Sequence, residues 1–237
     1  MTREHGHSEV EIAARIGAPP SAAYLRDTVY GAIDGAVTTF AIVAGVVGAG
    51  LSTRVIIALG IANVLADGFS MAAANYSGIK AELDNAKRLR AVEERHIDEV
   101  PDGEKRELKE ILARKGLSGR LLDEATDTIA QNRDAWIQLM LVDEYGLSPV
   151  DPHPMRAALV TFGAFLLAGL VPLVPFIMAT DAAFAWSLGL TGGVFFAVGA
   201  LKSVWSTAPW WRSGLETLAI GGIAAAIAFY VGSLFHE

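Results

Sequence analysis

The sequence contains no cysteine, and this absence removes several classes of chemistry. Disulfides, thiolate zinc sites, iron–sulfur clusters and covalently attached haem all require cysteine. The sequence also has no Gly-x-Ser-x-Gly elbow and no Walker-type phosphate loop, which disfavours hydrolase chemistry and ATP hydrolysis. The net charge of −7 gives no support to nucleic-acid binding. We therefore expect a protein that is not an enzyme and that has no prosthetic group.

Charge is scarce outside one segment. Of the 45 charged side chains, 28 lie between Lys80 and Glu144, and 16 of these are acidic. A helix crosses a bilayer with ~20 mainly apolar residues. Five segments meet this requirement: Val29–Leu51, Val55–Tyr76, Ala157–Ala179, Phe184–Leu201 and Gly214–Phe235. The pattern predicts an all-α membrane protein with five transmembrane helices and a cytosolic helical insert between spans two and three.

The predicted organisation has four parts. They are a cytosolic tail (1–25), spans one and two (26–79), a helical metal-binding domain (80–150) and spans three to five (151–237). A short amphipathic helix along Val10–Ile16 is the alternative to a flexible tail.

Within the insert we predict helices at Ala81–Glu99, Gly103–Lys115, Gly119–Gln131 and Asp134–Tyr145, with Asp102 and Ser118 as N-caps. Pro172 and Pro175 predict a kink in the third span, and Gly31/Gly35, Gly45/Gly48 and Gly189/Gly193 predict close helix packing.

Basic residues predict the orientation of the spans. If the chain crosses the membrane five times, one side receives 18 of the 19 Lys and Arg residues and the other receives Arg54 alone. Without the 12 basic residues of the insert the ratio is still 6 to 1. The positive-inside rule places the N-terminus and the insert in the cytoplasm and the C-terminus outside.

The first two predicted spans each carry one carboxylate. Asp34 lies in the first span, and Asn63, Asp67 and Met71 follow one stripe of the second, at i, i+4 and i+8. An ionisable group at membrane depth is costly and is by default a candidate functional residue. Carboxylate, amide and thioether ligands together favour a first-row transition ion. The structural alternative is a capped or snorkelling Asp beside a core Met, and for Met71 alone that alternative is favoured.

Three close pairs of candidate ligands lie in the insert. Glu93/His96 and Glu104/Glu107 are three residues apart, and Met140/Glu144 are four apart. Each pair faces one way from its helix, so three helices could converge on one or more Fe²⁺-like ions. For any single pair the pattern by itself favours a solvated helix face.

Residues 32–45 read AIDGAVTTFAIVAG, and residues 63–76 read NVLADGFSMAAANY. These motifs resemble the first and second spans of the vacuolar iron transporter family, in the form common in prokaryotic members. Residues 99–104 (EVPDGE) and 136–147 (WIQLMLVDEYGL) resemble its cytosolic metal-binding domain. Residues 211–221 (WRSGLETLAIG) resemble the start of its last span. The resemblance extends from about Tyr24 to the C-terminus.

The resemblance implies a homodimeric five-span transporter that moves Fe²⁺ and Mn²⁺ out of the cytosol in exchange for protons. It places the ion path at the dimer interface, between the first two spans of each subunit. It also implies that the bilayer is a bacterial cell membrane. The family positions carried over are Asp34, Met71, Glu93, Glu104, Glu107, Met140 and Glu144.

This sequence departs from the family pattern at two positions. Asn63 stands where a plant-type member has Glu, and the carboxylate lies one turn later, at Asp67. His96 occupies a position that is usually Glu. Imidazole can bind Fe²⁺ and would add pH sensitivity near neutrality.

Two other functions remain open from the sequence. A membrane-anchored metal-binding or sensing protein would keep its function in the insert, but a passive anchor does not require Asp34 and Asp67. A transporter of calcium or magnesium is disfavoured by the Met ligands.

Overall fold

The computed structural model describes residues 6–17, 24–147 and 153–236, and this part of the chain is helical without strands. The α-helices are α1 Glu9–Gly17, α2 Leu25–Gly48, α3 Thr53–Glu99, α4 Pro101–Arg114, α5 Gly119–Ala130, α6 Arg133–Asp143, α7 Pro154–Leu170, α8 Val174–Ile177, α9 Ala183–Lys202 and α10 Trp210–Ser233. The predicted all-α class is confirmed.

Five helical segments within the described residues are long and apolar enough to cross a membrane, as predicted. They are Leu25–Gly48, Thr53–Glu99, Pro154–Ile177, Ala183–Lys202 and Trp210–Ser233. The first begins four residues before the predicted span, because Arg26 and Asp27 continue the helix beyond its apolar window. The uncharged window therefore locates the membrane-length part of a helix rather than its ends.

The chain divides into two compact units. The span unit comprises Ala23–Ile79 and His153–Glu237, and the insert unit comprises Met1–Ala22 and Lys80–Pro152. Helix α3 contributes residues to both. Near the start of the insert unit, α1 forms at the place where the sequence had favoured a flexible tail. Ser8 and Glu11 cap it reciprocally, since each backbone N–H donates to the other side chain, at 3.1 and 3.3 Å.

Glycines allow the helices of the span unit to pack at backbone distance. A Cβ at Gly31 or Gly35 of α2 would overlap the backbone carbonyl group of Thr161 or Phe165 in α7. At the other end of α2, a Cβ at Gly48 would lie 2.5 Å from the carbonyl oxygen of Phe229 in α10. Helix α2 is therefore held between α7 and α10 by contacts that admit no side chain.

The third span is interrupted at its prolines. Helix α7 ends at Leu170, a 3₁₀ turn covers Val171–Leu173, and α8 resumes at Val174. A proline lacks the N–H that would continue the helix, so nearby carbonyls lose their partners. The buried Ser187 hydroxyl of α9 donates to the carbonyl oxygen of Pro172 at 2.7 Å. Helix α9 thus provides a hydrogen-bond donor to a backbone carbonyl group at the break.

The insert unit has its own small core. The end of α3 packs with α4 and α6 around a buried apolar cluster: Ile97, Leu108, Leu112, Trp136, Ile137 and Met140. Arg133 of α6 donates to both carboxylate oxygens of Asp98 and to the backbone oxygen of Glu94, which joins α6 to α3.

Helix α4 begins at Pro101 rather than Gly103, so Asp102 lies in its first turn and Val100 is the N-cap. Ser118 occupies the predicted N-cap position of α5 without capping through its side chain.

Replacing Gly35 should destabilise the span unit. In Gly35→Ala the new methyl group overlaps the Phe165 backbone, and we expect a cost of roughly 1–3 kcal/mol. The midpoint of thermal unfolding of detergent-purified protein measures the effect.

The matched control is Gly193→Ala. Close packing was predicted at Gly189/Gly193, but no atom of the described residues lies within 4 Å of a Cβ added at either position. Both variants gain the same helix propensity, so their difference reports the α2–α7 contact. Equal unfolding midpoints for the two variants would contradict this packing.

Candidate metal sites

Glu93, His96 and Glu104 form a cluster in the insert unit. One ligand atom from each lies within 4.8 Å of the others. Glu93 and His96 share a face of α3 because they are three residues apart. Glu104 is in the first turn of α4, and only Val100 separates α3 from α4. The tight reversal at Val100 therefore brings Glu104 beside the last turns of α3.

The two carboxylates of this cluster are buried. Glu93 is 1% exposed and Glu104 is 5% exposed. The Tyr145 hydroxyl donates to Glu93 Oε1 at 2.8 Å, and His96 Nδ1 lies 3.2 Å from Glu104 Oε1. The Oε2 atom of each carboxylate is buried without a hydrogen-bond partner in the described part of the chain. A divalent cation bound by these oxygens and the imidazole would remove that cost, so the donor set fits a transition-metal ion.

Burial and mutual repulsion raise the pKa of two carboxylates of the insert unit. Burial, followed by the charges of Glu93 and Glu107, raises the pKa of Glu104 to about 7. Burial and the same two carboxylates also raise the pKa of Glu144. Metal ions bind the deprotonated carboxylate, so protons and metal compete for these oxygens near neutral pH.

The remaining predicted ligands of the insert lie in different surroundings. Glu107 and Glu144 are exposed and line a cavity of about 580 Å³, and both lie within electrostatic reach of Glu104 or Glu93. Met140 is 0% exposed and packs in the apolar cluster of the insert unit. A ligand role for these three residues stays a prediction.

Sequence reasoning missed Tyr145, which holds the most buried carboxylate of the cluster. Its partner Glu93 is 52 residues away in the chain. The available signal was its position directly after Glu144, at the end of a helix that carries predicted ligands. The phenol fixes the orientation of Glu93, as outer-sphere hydrogen bonds commonly do for metal ligands.

A second group of predicted ligands comes together in the span unit. Asp34 of α2 and Met71 of α3 line the same cavity, of about 720 Å³. Asp67 lies within electrostatic reach of Asp34. All three side chains are half-buried. Carboxylate and thioether groups from two helices thus reach one region, and their role as metal ligands stays a prediction.

Asn63, which the sequence named as a candidate ligand, links α2 and α3 through its side-chain amide. Its side-chain amide donates to the Thr38 hydroxyl at 3.2 Å, and Thr38 in turn donates to the Asp34 carbonyl oxygen at 2.8 Å. Thr38 was not among the predicted site residues. The hydrogen bond sets the register of α2 against α3 one turn from the two acids.

Two basic residues also line the cavity of the span unit. Lys202 lies 3.5 Å from Glu216, which offsets its charge. The Arg26 guanidinium lies over the Tyr30 ring, 5.6 Å from its centroid. In the described residues, neither Asp34 nor Asp67 forms an ion pair with a basic side chain. The two acids are therefore open to a cation or to protons from solution, and cation binding here stays a prediction.

The stability of the metal-free protein should fall as pH rises towards neutrality. The folded-state pKa of Glu104, about 7, is higher than its ordinary value of 4.5, so the folded state binds more protons than the unfolded state between these values. Stability is therefore greatest when Glu104 is protonated, and it should fall as pH rises from about 4.5 to about 7 and then level off. Thermal unfolding in detergent with EDTA measures the change.

Glu104→Gln is the control for this pH dependence, because it keeps the side-chain shape and removes the ionisation. Its unfolding midpoint should change less over the same pH range than that of the wild type. Identical pH profiles for the two proteins would show that Glu104 does not titrate there.

Comparison with known proteins identifies the family. The VIT family model matches residues 25–233. "Vacuolar iron transporter 1" of Eucalyptus grandis is 35% identical, over 86% of this chain and 84% of its own. The Arabidopsis thaliana protein of the same name is 34% identical, over 90% and 86%. "Vacuolar iron transporter" of Toxoplasma gondii is 34% identical, over 91% and 76%.

These relatives are transporters and not enzymes, as the sequence predicted. Their similarity extends over both units of the structure, and it confirms the resemblance found in the separate motifs. Three similar proteins are named vacuolar iron transporters, and the family model covers most of the sequence, so the chain belongs to the VIT family.

Proposed function

We propose that the protein exports Fe²⁺ and Mn²⁺ from the cytosol in exchange for protons. The observation that carries this proposal is the cavity shared by Asp34 and Met71, with Asp67 within electrostatic reach. Acids in membrane helices are costly, and they commonly mark ion paths. The names of the relatives support iron as the cargo.

Ligand chemistry supports transition metals over calcium and magnesium. Asp34 and Asp67 supply hard oxygens, which alone would suit Mg²⁺ or Ca²⁺. Met71 in the span unit and His96 in the insert unit add softer donors. A mixed set of this kind favours a first-row transition ion over Ca²⁺ and Mg²⁺, and the names of the relatives point to iron among these ions.

Protons are the proposed counter-ion. A carboxylate cannot hold a proton and a metal ion on the same oxygen, so release of one accompanies uptake of the other. On this account Asp34 and Asp67 alternate between metal-bound and protonated forms. The insert unit collects metal through Glu93, His96 and Glu104 and senses metal load.

We also propose a homodimer with the ion path at the interface between copies of α2 and α3. In a single chain Leu65 and Phe69 of α3 are 53% and 69% exposed, so this face is open to lipid or to a second copy. The N-terminus and the insert would be cytoplasmic and the C-terminus outside, because basic residues concentrate on one side. The proposed host bilayer is the bacterial cell membrane.

Transport by reconstituted vesicles tests the path. Wild-type vesicles with an acidic interior should accumulate Fe²⁺ faster than vesicles without a pH gradient. Asp34→Ala and Asp67→Ala should each lower the rate by about tenfold or more, because each removes a charged ligand. Quenching of an enclosed metal-sensitive dye measures the rate.

Asp181→Ala is the matched control for these variants, since Asp181 is an exposed carboxylate in the connection between α8 and α9. It should transport as the wild type does. Wild-type rates in both Asp34→Ala and Asp67→Ala would show that the proposed path is wrong.

A membrane-anchored metal sensor is the second candidate function, and the buried Glu93–His96–Glu104 cluster favours it. The double variant Glu93→Gln/Glu104→Gln separates the two. A transporter that collects metal through the insert unit should keep transport at saturating metal and lose it at low metal. Mn²⁺ binding to detergent-purified full-length protein should weaken in the same variant.

A panel of Fe²⁺, Mn²⁺, Ca²⁺ and Mg²⁺ in the same vesicles completes this test. Transport of the first two ions alone supports the proposal. Metal binding with no transport of any ion would establish the sensor instead.

A further inference from the structure

A polar network joins three helices of the span unit at one end of the α3 stripe. The side-chain amide of Asn75 donates to Asp27 Oδ1 and to Thr161 Oγ1, at 2.9 Å each. Thr161 is buried and donates its own hydroxyl proton to the Ala157 carbonyl oxygen. Asn75 therefore holds the Asp27 carboxylate in one orientation and is itself held by α7.

Both members of the Asp27–Asn75 pair continue the stripes that carry the proposed path. Asp27 precedes Asp34 by seven residues on α2, which is close to two helical turns and about 10 Å along the axis. Asn75 follows Met71 by four residues on α3. Thr38–Asn63 and Asp27–Asn75 are thus hydrogen-bonded pairs on either side of Asp34, Asp67 and Met71.

The charge of Asp27 is not matched by a basic partner. Its neighbour in sequence, Arg26, lies over the Tyr30 ring. Among the described residues Asp27 forms no ion pair, and its Oδ2 atom accepts no hydrogen bond. A half-buried carboxylate with one oxygen fixed and one oxygen unused has the chemistry of a cation ligand.

We infer that Asp27 is a further cation-binding residue of the transport path, oriented by Asn75. It binds the divalent metal ion at the end of the stripe that leads into residue 80, before the ion reaches Asp34. The inference rests on the proposed transport function. On the proposed orientation this is the cytosolic end, so Asp27 acts in entry of the metal.

Isosteric removal of the charge tests this inference. In Asp27→Asn the side-chain oxygen can still accept from Asn75, so the helix contacts persist and only the charge is lost. We expect the transport rate at low Fe²⁺ to fall by about tenfold or more. The concentration for half-maximal transport should rise, and Asp27→Glu should restore part of the rate.

Thr161→Val is the control for a merely structural role, because it removes the Asn75–Thr161 hydrogen bond and leaves the Asp27 charge in place. It should lose much less transport than Asp27→Asn in both measured quantities, because the Asp27–Asn75 hydrogen bond and the charge remain. Equal losses in Asp27→Asn and Thr161→Val would overturn the inference and assign the network to helix packing. Monodispersity in detergent shows that each variant is folded.

Transport by Asp34→Asn in the same vesicles separates a failure of this inference from a failure of the proposed ion path. Loss of transport in Asp34→Asn with wild-type kinetics in Asp27→Asn would overturn the inference and leave the proposed path standing. Wild-type transport in Asp34→Asn together with Asp67→Asn would overturn the proposed path itself.

Discussion

Each unit holds two carboxylates of the same chain close enough to repel each other. Glu93 and Glu104 approach each other in the insert unit, and Asp34 and Asp67 do so in the span unit. Within the described residues, none of the four forms an ion pair with lysine or arginine. Burying like charges without a counter-charge is unfavourable unless a proton or a cation joins them. On the proposed function, metal ions and protons compete for the oxygens of these carboxylates, and that competition couples metal export to proton entry.

Helix α2, which carries Asp34, is held in the span unit by close backbone contacts with α7 and α10. Glycines of α2 meet backbone carbonyl groups of α7 and α10, so these helices cannot separate slightly without losing contact. The α2–α3 pair shares a buried apolar cluster and is also joined by side-chain hydrogen bonds, at Thr38–Asn63 and Asp27–Asn75. Side-chain bonds can break and re-form without a backbone shift. On the proposed function this makes the α2–α3 pair the adaptable wall of the ion path.

Much of the fold and part of the candidate site follow from local sequence patterns. Uncharged windows locate the five spans, and three-residue spacing pairs Glu93 with His96. Glu104 lies beside them because the chain reverses at Val100. Helix α4 begins at Pro101, before the predicted start at Gly103, so this reversal is tighter than the sequence predicted. The Tyr145–Glu93 and Asn75–Thr161 hydrogen bonds join residues far apart in sequence, so periodicity has no signal for them. The burial of Met140 likewise depends on how three helices pack.

The central claim is that the acids of the first two spans bind the transported metal. Anomalous diffraction from crystals of the full-length protein soaked in Mn²⁺ tests it most directly, because it locates the ion without relying on transport rates. The account predicts a peak within bonding distance of Asp34 or Asp67, in addition to one at Glu93 and Glu104. Mn²⁺ at the insert cluster alone, with the acids of the spans empty at saturating metal, would contradict the claim.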